Sequence, residues 1–172
     1  SARNKAPFAM ENHMNFPPQG GPPLIPTHKP IDMMSLYEIF ATVRTMAQDG
    51  PIKLSELEAL AETEGVPRTH AYAATMFDPT IALEMEGDAS VIVCTGKCQM
   101  FGSIELLEEL LKIRDARKVE GAAPINVLPR SCLDQCDFPP VMMSKSKHGL
   151  CAHKFAKMEE LPEIVETICS DG

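Results

Sequence analysis

Four cysteines stand in two pairs of equal spacing, Cys94-Thr-Gly-Lys-Cys98 and Cys132-Leu-Asp-Gln-Cys136, with 33 residues between the pairs. Each pair follows a short apolar run of the kind that forms a strand, so each is expected in a loop at a strand end. A fold that brings those two strand ends together would set four thiolates around one point. Thiolate sulfur is a soft donor, and four of them select zinc or an iron-sulfur cluster over magnesium or calcium. Closed zinc sites more often use pairs with two intervening residues, although longer spacings occur. The residue types alone leave a cluster, structural zinc, an empty reduced site and disulfides all open. A disulfide scaffold is disfavoured by size, since such domains are usually much shorter and denser in cysteine.

The two remaining cysteines carry less. Cys151 lies between His148 and His153, but His148 falls in a turn and a fourth ligand is missing, so Cys151 reads as a half-buried thiol beside surface histidines. Cys169 reads as core or incidental, and His70 as a surface residue. No nucleophile with a matching base is legible. A thioredoxin-type oxidoreductase would want a C-x-x-C pair at a helix start and would leave the second cysteine pair unexplained.

The elements that must position these cysteines alternate strand and helix. Ser90-Val-Ile-Val-Cys94 is β-branched and apolar and runs into the first cysteine loop. Ser103 is expected to cap a helix with Ile104, Leu107, Leu110 and Leu111 inward and Glu105, Glu108 and Glu109 on its solvated face. Ile125 to Leu128 makes a second strand leading into the second loop, and Val141-Met142-Met143 a third. Lys145 to Gly149 reads as a hairpin turn before a fourth strand, Leu150 to Phe155. Leu161, Ile164, Val165 and Ile168 then mark a terminal helix with Pro162 near its start. The order β-α-β-β-β-α is a two-layer α/β arrangement of thioredoxin-like type, with the middle helix crossing between parallel strands.

Ahead of it, residues 32–86 read as a helical module. Leu36, Phe40, Val43 and Ala47 share one helical face behind a Ser35–Glu38 capping box, and Gly50-Pro51 ends that helix. A second box, Ser55 with Glu58, opens a helix carrying Leu57, Leu60 and Ala61, closed by Gly65. Pro67 suits the first turn of a third helix through Ala71, Ala74 and Phe77. Residues 1–31 differ, with prolines at 7, 17, 18, 22, 23, 26 and 30 and no apolar periodicity. They read as an extended proline-rich arm laid across a partner protein. Residues 87–172 complete the division as the cysteine-bearing domain.

Composition narrows the class. A hydrophobic content of 44% over 172 residues supports a packed core, yet Tyr and Phe number only 2 and 7 and tryptophan is absent, so aliphatic residues and 11 methionines must fill it. A net charge of −8 argues against a free-standing nucleic-acid binder, which needs a basic face. No apolar stretch approaches the ~18 residues of a helical membrane span.

At this point a family becomes visible. Gly102-Ser103 after the first pair, Cys-Leu-Asp-Gln-Cys-Asp over 132–137, Pro140 before Val141-Met142-Met143, and the helical module together resemble the thioredoxin-like 2Fe-2S ferredoxin subunit of respiratory complex I, the NADH dehydrogenase flavoprotein 2 family. The likeness runs from Leu36 to Ile168. Its relatives also stand beside a larger flavin-bearing, NADH-oxidising subunit in NAD-linked hydrogenases and formate dehydrogenases. The resemblance implies that Cys94, Cys98, Cys132 and Cys136 ligate a 2Fe-2S cluster that exchanges electrons with the neighbour's flavin. The chain would then be a non-catalytic subunit, placed in the mitochondrial matrix or, for a bacterial relative, in the cytoplasm. It also makes Pro140 the counterpart of the cis-proline that commonly precedes the third strand of thioredoxin-like folds. The first pair departs from the family, enclosing three residues where four are usual, and Gly96 is expected to supply the left-handed backbone of the tighter loop. Asp134 and Gln135 also replace the small residues more usual there. The chain therefore reads as a divergent member or paralogue. The alternative function is a repurposed structural iron-sulfur subunit of a large mitochondrial assembly such as the mitoribosome or its assembly intermediates, the one setting in which RNA contact is expected.

Overall fold

In the computed structural model, which describes residues 25–170, Asp32 opens the first helix. Its carboxylate accepts the Ser35 N–H at 3.0 Å as the N-cap of α1, Met33–Met46. The expected Ser35–Glu38 box is thus not the helix start, because the carboxylate three residues earlier takes the amide first. Leu36, Ile39 and Val43 form the buried stripe, while Phe40 and Ala47 pack at its margin. In α2, Leu54–Glu64, the start likewise falls earlier than expected: the Glu56 carboxylate accepts the Lys53 N–H at 3.4 Å. Gly65, with φ of 67°, closes the helix as read from sequence. α3 runs Arg68–Ala74 with Pro67 just ahead as N-cap, and a 3-10 turn continues it to Phe77.

Four strands make one sheet in the order β2-β1-β3-β4. β1, Ser90–Cys94, pairs in parallel with β2, Asn126–Arg130, placing Ser90 opposite Asn126 and Cys94 opposite Arg130. β3, Met142–Ser146, runs antiparallel to β1, and β4, Gly149–His153, antiparallel to β3. The crossover helix α4, Ser103–Glu120, packs on β1 and β2, and the terminal helix α5, Leu161–Cys169, packs on β3. The β-α-β-β-β-α order read from sequence is the order observed. Strand ends differ from expectation. β2 reaches two residues further, to Arg130, through Pro129, which an edge strand tolerates although proline lacks an N–H. β3 continues through Ser146, so the hairpin turn shrinks to residues 147 and 148. The Pro139–Pro140 peptide is cis, as the resemblance implied.

One continuous apolar core joins the helices to the sheet, from Leu36, Val43 and Leu57 through Val91 and Val93 to Leu107, Leu110, Leu111 and Leu161. Beside it a polar cluster ties the early helices to α4. The Arg114 guanidinium donates to the Tyr72 hydroxyl at 2.6 Å and to Glu58 at 2.8 Å, and Arg68 pairs with Asp115 at 2.5 Å and Glu108 at 3.4 Å. Glu58 is therefore an ion-pair member rather than a capping residue. Glu108 is half-buried in this cluster rather than on a solvated face, and burial pushes the Tyr72 hydroxyl up to about 12. His70 is half-buried too, not a surface residue, and burial lowers its pKa. Among the described residues no helix is long and apolar enough to cross a membrane.

Of the proline-rich arm, residues 1–24 lie outside the described residues, and with them most of the expected partner contact. The remainder is a strap against its own chain: Thr27 and His28 both donate their N–H groups to the Met100 carbonyl, at 2.9 and 3.0 Å. Because Leu110 is fully buried at the junction of α4 with the core, Leu110→Ala is expected to cost about 2–5 kcal/mol, read as a lowered denaturant midpoint at unchanged slope.

Candidate metal centre

The parallel register brings the two cysteine loops together. Cys94 ends β1 directly opposite Arg130, the end of β2, so both loops leave the sheet side by side. Thr95 N–H then donates to the Arg130 carbonyl at 2.7 Å, prolonging the pairing by one residue into the loops. The Thr95 hydroxyl donates to the same carbonyl and to Met76 Sδ, each at 3.3 Å. At Gly96 the loops touch, since a Cβ there would run into the Ser131 carbonyl oxygen. Its φ is −89°, so the expected left-handed backbone is absent and the glycine serves close approach instead. The left-handed residue of this region is Gly102, φ 95°, which ends the 3-10 turn Lys97–Phe101 and caps α4. Ser103 consequently becomes the first helical residue rather than the N-cap, and its buried hydroxyl has no partner.

All four sequence-predicted cysteines meet here, as two neighbouring pairs rather than as four donors on one point. Among the described residues, no group of three or more Cys, His, Asp or Glu is gathered as for a single ion. Cys94 and Cys98 are buried, with Phe138, Val141 and Leu133 packed around them in a small core of their own. Cys132 and Cys136 are exposed, with Sγ atoms 3.5 Å apart. Two sulfurs on one tetrahedral metal, at bonds of about 2.3 Å, stand ~3.8 Å apart, so this pair has the spacing of co-ligands.

Backbone amides converge on these sulfurs. The Cys94 thiol donates to the Ser131 carbonyl at 3.7 Å, and the Cys98 thiol proton together with the amides of Gly96, Cys98 and Leu133, the last from the other loop, favours its ionised form. The Val141 amide favours charge on Cys98, and Cys132 Sγ accepts the Asp134 N–H at 3.3 Å. Asp134 is in the left-handed region, φ 56°, at this point of the loop. The bond from Cys98, reinforced by the amides, holds the Cys94 thiol down at about 6 against burial. Cys98, donating that proton and buried as well, is pushed up, and Cys136 is pushed up chiefly by its bond to Cys132. A site that favours thiolate charge with amides, and brings four sulfurs together on two neighbouring loops, fits an anionic iron-sulfur centre.

A family model for the Thioredoxin-like 2Fe-2S ferredoxin matches residues 29–168. The chain belongs to the thioredoxin-like 2Fe-2S ferredoxin family. A mixed α/β domain of this type, preceded by helices, is what the fold expectation named. Among solved structures, the crystal structure of the wild-type thioredoxin-like 2Fe-2S ferredoxin from Aquifex aeolicus is similar at 21% identity and a TM-score of 0.41, covering 49% of this chain and 88% of that one. No curated protein matches the sequence.

Outside this ferredoxin site, Cys151 proves exposed rather than half-buried, while His153 is the half-buried member, bonded through Nε2 to the Ser144 hydroxyl at 2.8 Å. Cys169 packs at the edge of the main core, where burial pushes its thiol up. Sequence reasoning missed Gln99, which is 4% exposed and donates through Nε2 to the Thr95 carbonyl at 2.6 Å. The only sequence signal was a polar residue directly after a cysteine.

Two outcomes are expected. Gly96→Ala should force the two loops apart, lowering iron bound per chain and costing about 1–3 kcal/mol, as overpacking does. In metal-free protein, thiolate absorbance near 240 nm should show one thiol ionising near pH 6, a step removed by Cys94→Ser. Between that pH and the ordinary thiol value of 9.0 the native state holds fewer protons at this site than the unfolded chain. Raising the pH through this window should therefore raise the melting temperature, and that gain should vanish as pH falls through about 6.

Proposed function

We propose that this chain is the iron-sulfur electron-transfer subunit of an NADH-oxidising, complex I-like assembly, with Cys94, Cys98, Cys132 and Cys136 as ligands of one 2Fe-2S cluster. The observation that carries it is the meeting of the two cysteine loops at the paired ends of β1 and β2, with the Cys132 and Cys136 sulfurs 3.5 Å apart and the Asp134 N–H on Cys132. Family membership supports the same cofactor and an electron-transfer role. When bound, such a cluster takes up and releases a single electron. The chain's own residues do the rest. Cys94 and Cys98, in their apolar pocket with Phe138 and Val141, keep one side from water. Cys132 and Cys136, at the surface, leave the other side open towards an electron partner. The amides stabilise added negative charge and so hold the reduction potential up.

The partner in this reading is a larger subunit carrying flavin, which would oxidise NADH while this chain binds neither. The compartment that goes with it is the mitochondrial matrix, or the cytoplasm for a bacterial assembly. Purification of the intact assembly through this chain, with partner identification and metal analysis, tests both halves. A flavoprotein NADH dehydrogenase with about two irons and two sulfides per chain is the expected recovery. Cys132→Ser is expected to lose most of that iron and to loosen both loops, because ligand bonds are also folding energy. Full iron in that variant, or stoichiometric zinc in the wild type, would overturn the ligand assignment. Ribosomal or assembly proteins in place of the flavoprotein would overturn the electron-transfer role.

A further inference from the structure

The Gln99 amide spans two parts of the chain that are remote in sequence. Oε1 accepts the Ile31 N–H at 2.8 Å, 68 positions away, and Nε2 donates to the Thr95 carbonyl at 2.6 Å. An N–H on one side and a C=O on the other leave only one orientation of the amide consistent with both bonds. Thr95 directly follows Cys94, and Gln99 directly follows Cys98, so the side chain closes the three-residue loop from outside.

The consequence lies in one peptide unit. A trans peptide points its C=O and its N–H in opposite directions. In the Thr95–Gly96 peptide the carbonyl is held by Gln99 Nε2 at 2.6 Å, and the N–H is among the amides that favour charge on Cys94. Anchoring the oxygen on the outer side therefore aims the hydrogen at the sulfur. Gln99 N–H adds a bond to the Gly96 carbonyl at 3.0 Å, pinning the next peptide as well. The strap in turn holds Gln99: beyond the Ile31 bond, Thr27 and His28 fasten it to the Met100 carbonyl, and His28 lies over Gly102 with Cε1 3.2 Å from where a Cβ would be.

We propose that Gln99, held by the strap Thr27–Ile31, is a positioning residue that aims the Gly96 N–H at the Cys94 sulfur and thereby helps set the cluster's stability and reduction potential. The proposal rests on the ligand reading above. An N–H···S bond favours the more negative, reduced state of a cluster, so its loss moves the potential downward.

The test uses the full chain loaded with its cluster, comparing Gln99→Met, which keeps the volume and removes both bonds, with Ile31→Pro, which removes the strap N–H and is read against Ile31→Ala because both lose the side chain's packing on the core. Gln99→Met and Ile31→Pro are expected to lower the potential, to change the electron paramagnetic resonance signature of the reduced cluster, and to speed iron loss to a chelator. For Gln99→Met the acceleration should be roughly tenfold, as for loss of two hydrogen bonds at a buried amide. Asn126→Ala serves as control. Its buried amide bonds Glu86 and Ala89 at the far end of β1 and β2, so it should lower the melting temperature without moving the potential. Wild-type potential and release rate in Gln99→Met overturn the proposal. Should Gln99→Met fail to load, Ile31→Pro decides, and an unmoved potential there overturns it equally. Iron retained in Cys132→Ser would instead defeat the ligand reading itself, so the two failures are told apart.

Discussion

Negative charge on sulfur away from water has to be compensated, and here the compensation comes from the backbone. Among the described residues no lysine or arginine bonds to the buried pair; the amides of Gly96, Cys98, Leu133 and Val141 favour its charge instead. Backbone amides have no freedom to seek a sulfur, so they are aimed only where the loops have one shape. That shape depends on the register of β1 against β2, which sets Cys94 beside Arg130. The register depends on α4 crossing between the two strands and burying Leu106, Leu107, Leu110 and Leu111. Shifting β2 by one residue would turn its side chains to the opposite face and carry the second loop away from the first. The apolar core and the thiol chemistry are thus linked through a single strand pairing.

Much of this was legible in sequence because it rests on local periodicity. The β-branched run at 90–94, the leucine spacing of 104–111 and the terminal Leu161, Ile164, Val165, Ile168 pattern each placed an element correctly in kind, and the ends of β1 and β2 bring the two cysteine loops side by side, though not as four sulfurs on one point. Boundaries and caps were harder, since a cap is decided by which side chain reaches an amide first. Asp32 outcompeted Ser35, and Glu56 outcompeted the pair Ser55 and Glu58. Gly96 serves close approach and Gly102 takes the left-handed dihedral expected of Gly96, because sequence shows that a glycine is present without showing whether it is needed for a dihedral or for space.

What stayed hidden depends on residues far apart in the chain. Glu108 reads as part of a charge run on an exposed helix face, and only the arrival of Arg68 from α3 makes it half-buried and paired. Gln99 gave no sign of its task, because the Ile31 amide that fixes it comes from a segment expected to lie across a partner protein. The reading of that segment as foreign to the domain overlooked a general point. A proline-rich stretch loses little conformational freedom on docking, so a few backbone bonds suffice to hold it.

The shortened first loop draws these strands of argument together. Three residues between Cys94 and Cys98 leave the loop as a tight turn with little slack of its own. A loop without slack transmits any movement of its ends directly to its amides. Here both ends and the outer side are braced: Thr95 to Arg130 and to Met76, Gly96 against Ser131, Gln99 to Thr95 and to Ile31. Met76 belongs to the turn that follows α3, and Ile31 to the segment leading into α1. The helices ahead of the sheet therefore form a third wall of the cysteine site, joined to it by named bonds as well as by the shared core.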